Sequence, residues 1–310
     1  MSNRRNSLSI HRIAVVALLL AAAGCAEVQQ HAPAAVQAMP DVSVGAQYDT
    51  THVYVDDASH YDALVNAWTA TFGGHASQRI TANIMPVPAN TQFQYVWSPV
   101  GNLSTFSFLT PVPFPFGQER VGWLVTDIDK AIAAARAAGA EIVVDKFKDP
   151  IGYDVVVQFP GGVKFQLYWH FTAPNYDALA SVPDTRVYVS AGSIDAFARD
   201  FLAFSHGKIV SDVANADAAE IGKPGQTYHR IRIESGFGKL QAMATDGHLP
   251  YPFGHEITGY EVKNLDETLT KAQANGAKVL SPRFDGTDRS SAIVEFPGGY
   301  IAEIHSVSAH

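Results

Sequence analysis

An internal repeat constrains this 310-residue chain more than any other feature of its sequence. The motif Pro-Phe-Pro-Phe-Gly at 113–117 recurs as Pro-Tyr-Pro-Phe-Gly at 250–254, and Thr51–Val55 resembles Thr185–Val189. Repetition over this length indicates a duplicated unit, so we predict two halves, at 48–175 and 182–308. The spacing of the Pro-aromatic motif also relates Asp129 to Asp266, Gly139-Ala140 to Gly276-Ala277, and Phe159-Pro160-Gly161-Gly162 to Phe296-Pro297-Gly298-Gly299.

Each half contains a finer pattern that is also present twice. In the clearest copy, the alternating segment Val121–Val125 is followed by Asp127 and by an Ala-rich stretch that ends at Gly139. Asp at a helix start and Gly just past its end are typical capping residues. Two further strands are predicted at Tyr153–Phe159 and Val163–Trp169, because a Pro-Gly-Gly turn separates them. Four such β-α-β-β-β modules make the predicted fold α+β.

The module pattern resembles the vicinal oxygen chelate superfamily, which includes glyoxalase I, bleomycin-resistance proteins and extradiol dioxygenases. The resemblance covers most of 48–308 and implies two tandem glyoxalase-like domains. It does not identify an activity, since one fold serves many functions. The segments that carry the resemblance are Val121–Asp129 with Ala131–Val144, Pro160–Leu167, Gly259–Asp266 and Pro297–Ile304.

The resemblance also implies where a metal would bind. Enzymes of the superfamily hold a divalent metal in the cup of a curved sheet, on His and Glu side chains from the first and last strands of two modules. Such a metal needs three or four converging ligands. We predict that the metal site is largely lost and that no cofactor is bound. The matching positions hold His52 (or Thr50), Thr105, Arg120 and Gln166 in the first half, and Arg186, Ala242, Ile257 and Glu303 in the second.

A remnant of the metal site in the second half is the alternative. Glu303 stands at the family's Glu position, and His305 lies two residues further along the same strand face. Glu261 shares the inward parity of the neighbouring strand, so these three side chains are the candidate ligands of a divalent metal. Arg186 in the same cup would repel a dication. The opposing interpretation is a buried ion pair between Arg186 and Glu303.

Without a metal, both cups still hold groups suited to a small anionic or aromatic ligand. Guanidinium and amide groups bind planar oxygen groups through paired hydrogen bonds, and aromatic rings stack on flat ligands. The leading hypothesis is a glyoxalase/dioxygenase-like protein that binds a small molecule or acts on it. The alternatives are a metal-dependent lyase or dioxygenase using Glu303 and His305, and a structural or interaction lipoprotein. The predicted pocket residues are His52, Tyr54, Arg120, Gln166, Arg186, Tyr188, Glu303 and His305.

The N-terminus has the pattern of a bacterial export signal. Arg4, Arg5 and Arg12 accompany an apolar run at 13–23, which is too short to cross roughly 30 Å of hydrocarbon. Cys25 follows Ala-Ala-Gly, which resembles a lipobox. We therefore predict a signal peptide at 1–25 and a periplasmic lipoprotein anchored to the membrane through Cys25. The alternative is cleavage near 21–23 by an ordinary signal peptidase. The Ala/Gln/Pro-rich stretch at 26–47 predicts a flexible tether.

Net charge narrows the range of partners. Lys and Arg number 22 against 30 Asp and Glu, which gives a charge of −8, and no basic run is present. Because phosphate neutralisation dominates nucleic-acid affinity, we expect a small-molecule ligand and no nucleic acid as partner. The single Cys excludes an intramolecular disulfide. Whether the modules pair within each half or across a dimer stays open, as does the oligomeric state.

Overall fold

The computed structural model describes residues 40–55, 58–111, 117–251 and 255–308. Within these ranges the predicted α+β fold of four β-α-β-β-β modules is confirmed. The first half contains β1 (Thr51–Val55), α1 (Ala58–Phe72), β2 (His75–Ala76), β3 (Ile80–Ala82), β4 (Thr91–Trp97), β5 (Leu103–Phe108), β6 (Glu119–Leu124), α2 (Ile128–Ala137), β7 (Glu141–Lys148), β8 (Gly152–Phe159) and β9 (Val163–His170). The second contains β10 (Asp184–Val189), α3 (Ile194–Ser205), β11 (Lys208–Asp217), β12 (Thr227–Ser235), β13 (Gly238–Ala244), β14 (Glu256–Glu261), α4 (Leu265–Ala274), β15 (Lys278–Asp285), β16 (Arg289–Phe296) and β17 (Tyr300–Val307).

Each half forms one curved sheet in which its two modules lie side by side. The first strands of the two modules pair in antiparallel register, β1 with β6 and β10 with β14. The modules therefore pair within each half, a point that the sequence left open. The strand orders are β2-β4-β5-β1-β6-β9-β8-β7, with β3 on β4, and β11-β12-β13-β10-β14-β17-β16-β15.

The first module departs from the regular pattern. The strand that follows its helix is split into the short pieces β2 and β3, and residues 83–90 form no strand. Pro86 and Pro88 lie in this stretch and lack the N–H that a sheet ladder requires. The irregular loop runs along the rim of the first cup instead of extending the sheet.

Helix α2 shows how local sequence sets the elements. The Asp127 side chain accepts hydrogen bonds from the backbone N–H groups of Asp129 and Lys130, both at 3.1 Å. Gly139 adopts a φ of +88° just beyond the helix, a conformation that only Gly reaches without strain. Both predicted caps are confirmed.

Two hydrophobic cores lie between the sheets, and each joins a module of one half to a module of the other. In the first core, Trp123 of β6 packs on Phe237, with ring centroids 4.9 Å apart. In the second, Trp68 of α1 packs on Tyr260 and Phe296, at 4.8 and 5.2 Å. Because each half completes the cores of the other, the described residues from 40 to 308 form one compact unit.

Strand alternation places side chains on the two faces of each sheet. In β9, Phe165 and Leu167 point to the helix side and join the first core. Gln166 and Tyr168 point to the concave side, which we call the cup. Each sheet thus has one apolar face that packs on helices and one face that is free to carry chemistry.

Residues 42–47, which the sequence placed in a flexible tether, are packed on the first sheet. The Gln47 amide donates to the Leu124 carbonyl at 3.0 Å, and its oxygen accepts from the Leu124 N–H at 2.9 Å. Val42 and Ser43 are buried. This end of the predicted tether belongs to the folded unit, because its polar groups pair with β6 and its apolar side chain enters the core.

The remaining N-terminal predictions fall outside the described residues. They concern the signal peptide, the lipobox Cys25 and the tether up to residue 39. Most of the two Pro-aromatic motifs, at 112–116 and 252–254, lies outside them as well. Among the helices that are described, none is long and apolar enough to cross a membrane.

Candidate functional site

The concave face of the first sheet encloses a cavity of about 350 Å³. Strands β1, β5, β6, β8 and β9 contribute its floor, and the loops at 84–86 and 149–151 contribute its rim. A cavity of this kind, mostly apolar with a few converging polar groups, is typical of small-molecule sites. Its polar side chains include Asp49, His52, Arg120, Asp154, Gln166 and His170.

His52 lies in the cavity floor as a buried, neutral side chain. Its Nδ1 is 3.1 Å from the carbonyl oxygen of Arg120. A carbonyl only accepts hydrogen bonds, so Nδ1 carries the proton and Nε2 keeps its lone pair. Burial lowers the pKa of His52 to about 4, and the charge of Arg120 contributes in the same direction. Gly122 makes room for the ring, because a Cβ there would lie 2.5 Å from His52 Cε1.

Arg120 is the cross-strand neighbour of His52 and is almost fully buried. Its Nε lies 3.6 Å from Oε1 of Glu256, on β14 of the other sheet. Burial raises the pKa of Glu256 to about 7, although Arg120 acts in the opposite direction. Glu256 is therefore only partly ionised near neutral pH, which leaves part of the guanidinium charge for a ligand.

Asp154 is a second buried carboxyl group in the cup. It pairs across the β8/β9 ladder with Tyr168, and its Oδ1 accepts a hydrogen bond from the Gln166 amide at 2.8 Å. Burial raises the pKa of Asp154 to about 8, and the charge of Asp149 adds to this effect. At neutral pH the group is mostly protonated, so it can donate a hydrogen bond as well as accept one.

Asp49 lies at the start of β1, on the same side of the cavity as Tyr168. Its carboxylate accepts hydrogen bonds from Ser104 and, at 3.2 Å, from the Tyr176 hydroxyl. Burial raises the pKa of Asp49 to about 6 despite these hydrogen bonds. Asp49 is therefore mostly ionised at neutral pH.

Aromatic rings form a flat wall in the cavity. Phe106 is stacked on Tyr54, with centroids 5.6 Å apart, and on Phe93, at 5.2 Å. His52 is stacked on the same ring at 5.9 Å. Near-parallel rings favour a planar ligand. The rim is apolar and partly open to solvent, with 51%, 39% and 45% exposure at Ile80, Val143 and Ile151.

The second cup is filled by ionic side chains. Arg186 Nη1 lies 3.1 Å from Glu303 Oε1 and 3.4 Å from Glu220 Oε1. His305 Nδ1 is 2.7 Å from the other oxygen of Glu303. Burial alone would raise the pKa of Glu303, but His305 and Arg186 outweigh it and lower the pKa. The geometry is that of the buried ion pair that the sequence suggested for Arg186 and Glu303.

Glu220 completes this network from a short 3-10 turn. It accepts hydrogen bonds from the Tyr228 hydroxyl at 2.7 Å and from Arg230. Tyr188 points into the same space, and its hydroxyl lies 3.1 Å from that of Tyr251. The remaining volume is occupied by an apolar cluster that includes Met243, Ile257, Ile293 and Ile301.

The three candidate ligands of the alternative metal site do not come together. Glu261 is half exposed and lies 3.8 Å from Lys239, so it does not join Glu303 and His305. The side chain of Glu261, at the end of β14, is exposed to solvent, so the inward parity assigned to it does not hold at this strand end. In the described parts of the chain, no three His, Cys, Asp or Glu side chains are grouped as a metal site requires.

A second cavity, of about 360 Å³, opens beside the filled cup. Its lining is dominated by ion pairs, including Arg230 with Glu220 and Arg232 with Asp288. Its arginines are paired with carboxylates, and among the described residues that line it Phe284 is the one aromatic side chain, so this cavity has no stacked aromatic wall like that of the first cup.

The eight predicted pocket residues fall into two groups. His52, Tyr54, Arg120 and Gln166 line the first cavity. Arg186, Tyr188, Glu303 and His305 are buried inside the second cup and line neither cavity. A ligand-binding role for either group stays a prediction, but only the first group borders open space.

Sequence reasoning missed Asp49 and Asp154. The signal for Asp154 was present, because Val155 and Val157 alternate as core residues in β8 and thereby assign Asp154 to the cup face. No comparable signal marks Asp49, which precedes β1 and is placed by its contacts with distant parts of the chain.

No family model matches this sequence, and no curated protein matches it. Solved structures do match. A triple mutant of 4-hydroxymandelate synthase from Streptomyces coelicolor shares 12% identity with a TM-score of 0.54, over 86% of this chain and 93% of that one. 2,2',3-trihydroxybiphenyl 1,2-dioxygenase from Sphingomonas wittichii shares 13% identity with a TM-score of 0.54, over 86% of this chain and 92% of that one. A 2,3-dioxygenase from Pseudomonas sp. KL28 shares 13% identity with a TM-score of 0.52, over 86% of this chain and 94% of that one.

These neighbours are members of the vicinal oxygen chelate superfamily. The likeness confirms the predicted tandem glyoxalase-like fold of β-α-β-β-β modules for this chain. At 12–13% identity it shows the fold alone. What the cups do must be argued from their own residues.

Proposed function

We propose that this protein binds a small aromatic molecule with an oxygen substituent in its first cup, and that its second cup is structural. The cavity beside the stacked rings of Tyr54, Phe93 and Phe106 carries this proposal. It is open, apolar and flat-walled, whereas the corresponding space in the second half is occupied by side chains. Aromatic walls stabilise a flat ligand by burial and by stacking.

The polar groups define the other end of the ligand. Arg120 supplies a guanidinium that is only partly neutralised by Glu256, and a carboxylate or phenolic oxygen would complete its pairing. Gln166 and the neutral form of Asp154 add hydrogen-bonding groups on the same face. An aryl carboxylate or phenol therefore fits better than a purely apolar ring.

We also propose that the metal site of the family is lost in both cups. In the first cup a guanidinium, Arg120, stands at one ligand position. Thr105, which the sequence assigned to another, lies on the helix side of β5, where its hydroxyl is 2.6 Å from that of Tyr61, so it does not enter the cup. In the second cup Arg186 lies 3.1 Å from Glu303, where a cation would have to bind. A fixed positive charge at the ligand position repels a dication, so these residues do not fit the metal.

Metal content tests this part of the proposal. Residues 26–310, purified without chelator and then incubated with Fe(II), Mn(II), Ni(II) or Zn(II), should retain far less than one equivalent. Glu303→Ala should leave that value unchanged. If the protein retains about one equivalent of metal and Glu303→Ala abolishes that retention, the alternative of a metal-dependent lyase or dioxygenase would be supported instead.

Ligand binding tests the central part. Benzoate, phenol, toluene and cyclohexanecarboxylate separate the aromatic from the polar requirement, and calorimetry or thermal unfolding reports binding. A ligand at 100 times its Kd raises stability by about 2.7 kcal/mol. We expect benzoate and phenol to bind more tightly than the other two, and Arg120→Met to weaken benzoate most. Equal binding of all four compounds, or none, would contradict the proposal.

The proposed location is the bacterial periplasm, with a lipid anchor at Cys25. It is supported by the basic, apolar and small-residue segments at 1–25. Labelled palmitate should be incorporated into the full chain and lost in Cys25→Ala, and the wild-type protein should fractionate with membranes. A soluble exported protein without label would instead support cleavage near 21–23.

A further inference from the structure

We infer that the first cup is a metal-independent site for proton transfer, in which His52 removes a proton from carbon and Asp154 protonates the neighbouring carbonyl oxygen. The substrate class is an aromatic compound with an enolisable carbonyl group. This inference rests on the proposed function, because the ligand must first occupy the cup.

The position of His52 suits a base. Its Nδ1 proton is committed to the Arg120 carbonyl at 3.1 Å, so the free lone pair belongs to Nε2. The ring is held between two aromatic side chains, stacked on Phe106 at 5.9 Å and edge-on to Tyr168 at 5.7 Å. The fixed tautomer and ring plane orient the Nε2 lone pair, and the low pKa of about 4 makes His52 a weak base that acts through its position.

The position of Asp154 suits an acid. Oδ1 of Asp154 accepts a hydrogen bond from the Gln166 amide at 2.8 Å. The other carboxyl oxygen is left for a ligand in the cavity that Asp154 lines. Burial keeps the group protonated at neutral pH, which supports this assignment.

The two groups lie on either side of Gln166. A Cβ built on Gly122 would be 2.5 Å from His52 Cε1 and 3.3 Å from Gln166 Cβ, so the imidazole is next to that glutamine. The amide of the same glutamine contacts Asp154. A carbonyl compound seated over Gln166 therefore presents one end to the base and the other to the acid.

The reaction balances without an oxidant or a reductant. The bond between hydrogen and the carbon next to the carbonyl breaks, and its proton goes to His52 Nε2. The electron pair forms the carbon–carbon double bond of the enol, while the carbonyl oxygen takes the proton of Asp154. The enol, an imidazolium and a carboxylate result, and the reverse step with a proton from solvent regenerates the ketone with exchanged hydrogen.

The surrounding charges are compatible with this cycle. Arg120 and His170 face His52, and both disfavour a lasting imidazolium, so the base returns its proton readily. Asp149 and Asp49 face Asp154 and favour its protonated form. Arg120 also stabilises negative charge that develops on the ligand oxygen. The remaining charged groups at the cup are Glu256, paired with Arg120, and Lys164.

Deuterium exchange tests the inference. The probe 4-phenyl-2-oxobutanoate carries an aryl ring, a carboxylate and an enolisable CH₂, and NMR in D₂O follows exchange at that CH₂. Wild-type protein should accelerate exchange over buffer. His52→Asn keeps a donor at the Nδ1 position, and Asp154→Asn keeps the acceptor for Gln166, yet neither transfers the proton. Each should lower the catalysed rate about 100-fold or more, whereas His248→Asn, at an exposed histidine, should not.

Binding of the same probe, measured by calorimetry, separates the outcomes. Bound probe with exchange no faster than in buffer would overturn proton transfer and leave the binding proposal intact. Full exchange in Asp154→Asn or His52→Asn would overturn the assignment of that group. Absence of binding by every aromatic probe would overturn both proposals. If either variant fails to fold, Gln166→Leu serves instead, since loss of the amide should reduce exchange without abolishing binding.

Discussion

The two cups of this molecule share one topology and differ in what occupies equivalent positions. His52 and Gln166 of the first cup correspond to Arg186 and Glu303 of the second. In the first cup burial dominates, so it raises the pKa of the carboxyl group of Asp154 and lowers that of the His52 imidazole. In the second, counter-charges outweigh burial and lower the pKa of Glu303.

This difference shows how the same fold can form either an open ligand site or a filled core. Arg186 forms ion pairs with Glu303 and Glu220, although Arg186 Nε and His305 Nε2 are buried without a hydrogen-bond partner among the described residues. Apolar side chains fill the rest of the second cup, so the described residues leave no space for a ligand to pair with these atoms. In the first cup the polar groups are buried but incompletely paired, which costs stability unless a ligand pairs with them. Four pairs of substitutions, one member in each cup, test this difference.

Loss of Arg186 should have the largest effect. Arg186→Met removes the cation that Glu303 and Glu220 share in a fully buried site, so we expect a loss of about 3–5 kcal/mol of unfolding free energy, or failure to fold. His52→Asn, at the equivalent position, should cost about 1 kcal/mol. Urea unfolding compares the two variants, and a smaller loss in Arg186→Met would reverse the roles assigned to the cups.

Phe106 and Met243 occupy equivalent positions in the first and second cups. Truncating each of them should show that one cup serves ligand binding and the other serves stability. Met243→Ala should lose about 2–5 kcal/mol, since its side chain is fully enclosed, and should keep aromatic binding. Phe106→Ala should lose less stability, because its ring borders an open cavity, and should weaken binding at least about tenfold. Calorimetry and unfolding on both variants provide the check, and equal effects on binding would contradict the comparison.

Gly122 and Gly259 make room for the polar side chain of each cup. A Cβ at Gly259 would lie 2.6 Å from Glu303 Oε2, which its ion pairs hold in place, so Gly259→Ala should cost about 1–3 kcal/mol. In Gly122→Ala the His52 ring can turn into the cavity, so the stability loss should be smaller, while ligand binding and proton transfer are lost. A Gly122→Ala protein with unchanged exchange activity would argue against His52 as the base.

The pH dependence of stability should have opposite signs in the two cups. Because its pKa is raised in the folded protein, Asp154 stabilises the folded state fully below pH about 4. This contribution to the unfolding free energy is lost as the pH rises through about 8. Glu303, with its lowered pKa, contributes above its unfolded pKa and loses that contribution as pH falls. Each linked proton gives a slope of up to about 1.4 kcal/mol per pH unit.

Urea unfolding from pH 2 to 9 measures these slopes, with the Asp154 loss expected between about pH 4 and 8 and the Glu303 loss below about pH 4.5. Asp154→Asn should flatten the alkaline loss of stability, and Glu303→Gln should flatten the acid loss. Parallel profiles for wild type and both variants would show that the two carboxyl groups are not in the environments described.

The fold was readable from the sequence because it depends on local and repeated signals. The Asp127 cap, the Gly139 stop and the alternation in β9 all specify their elements through neighbouring residues. The site was only partly readable. Parity along β1, β6 and β9 brought His52, Arg120 and Gln166 to one face, as expected for strands.

The features that the sequence did not predict depend on how distant side chains fill the two cups in the folded protein. Nothing local indicates that Glu220 enters the second cup from a turn, or that Glu256 of the other sheet reaches Arg120. These contacts join residues 34 and 136 positions apart, and packing of the whole unit determines them. For the same reason, only the assembled structure distinguishes the open cup from the filled one.

The most direct test of the central claim is a crystal structure with bound 4-bromobenzoate, in which anomalous scattering locates the bromine. We predict one site per chain, in the first cup, with the ring against Phe106 and the carboxylate at Arg120. A bromine in the second half, or an empty first cup at a concentration that saturates binding in solution, would contradict the division between an open and a filled cup.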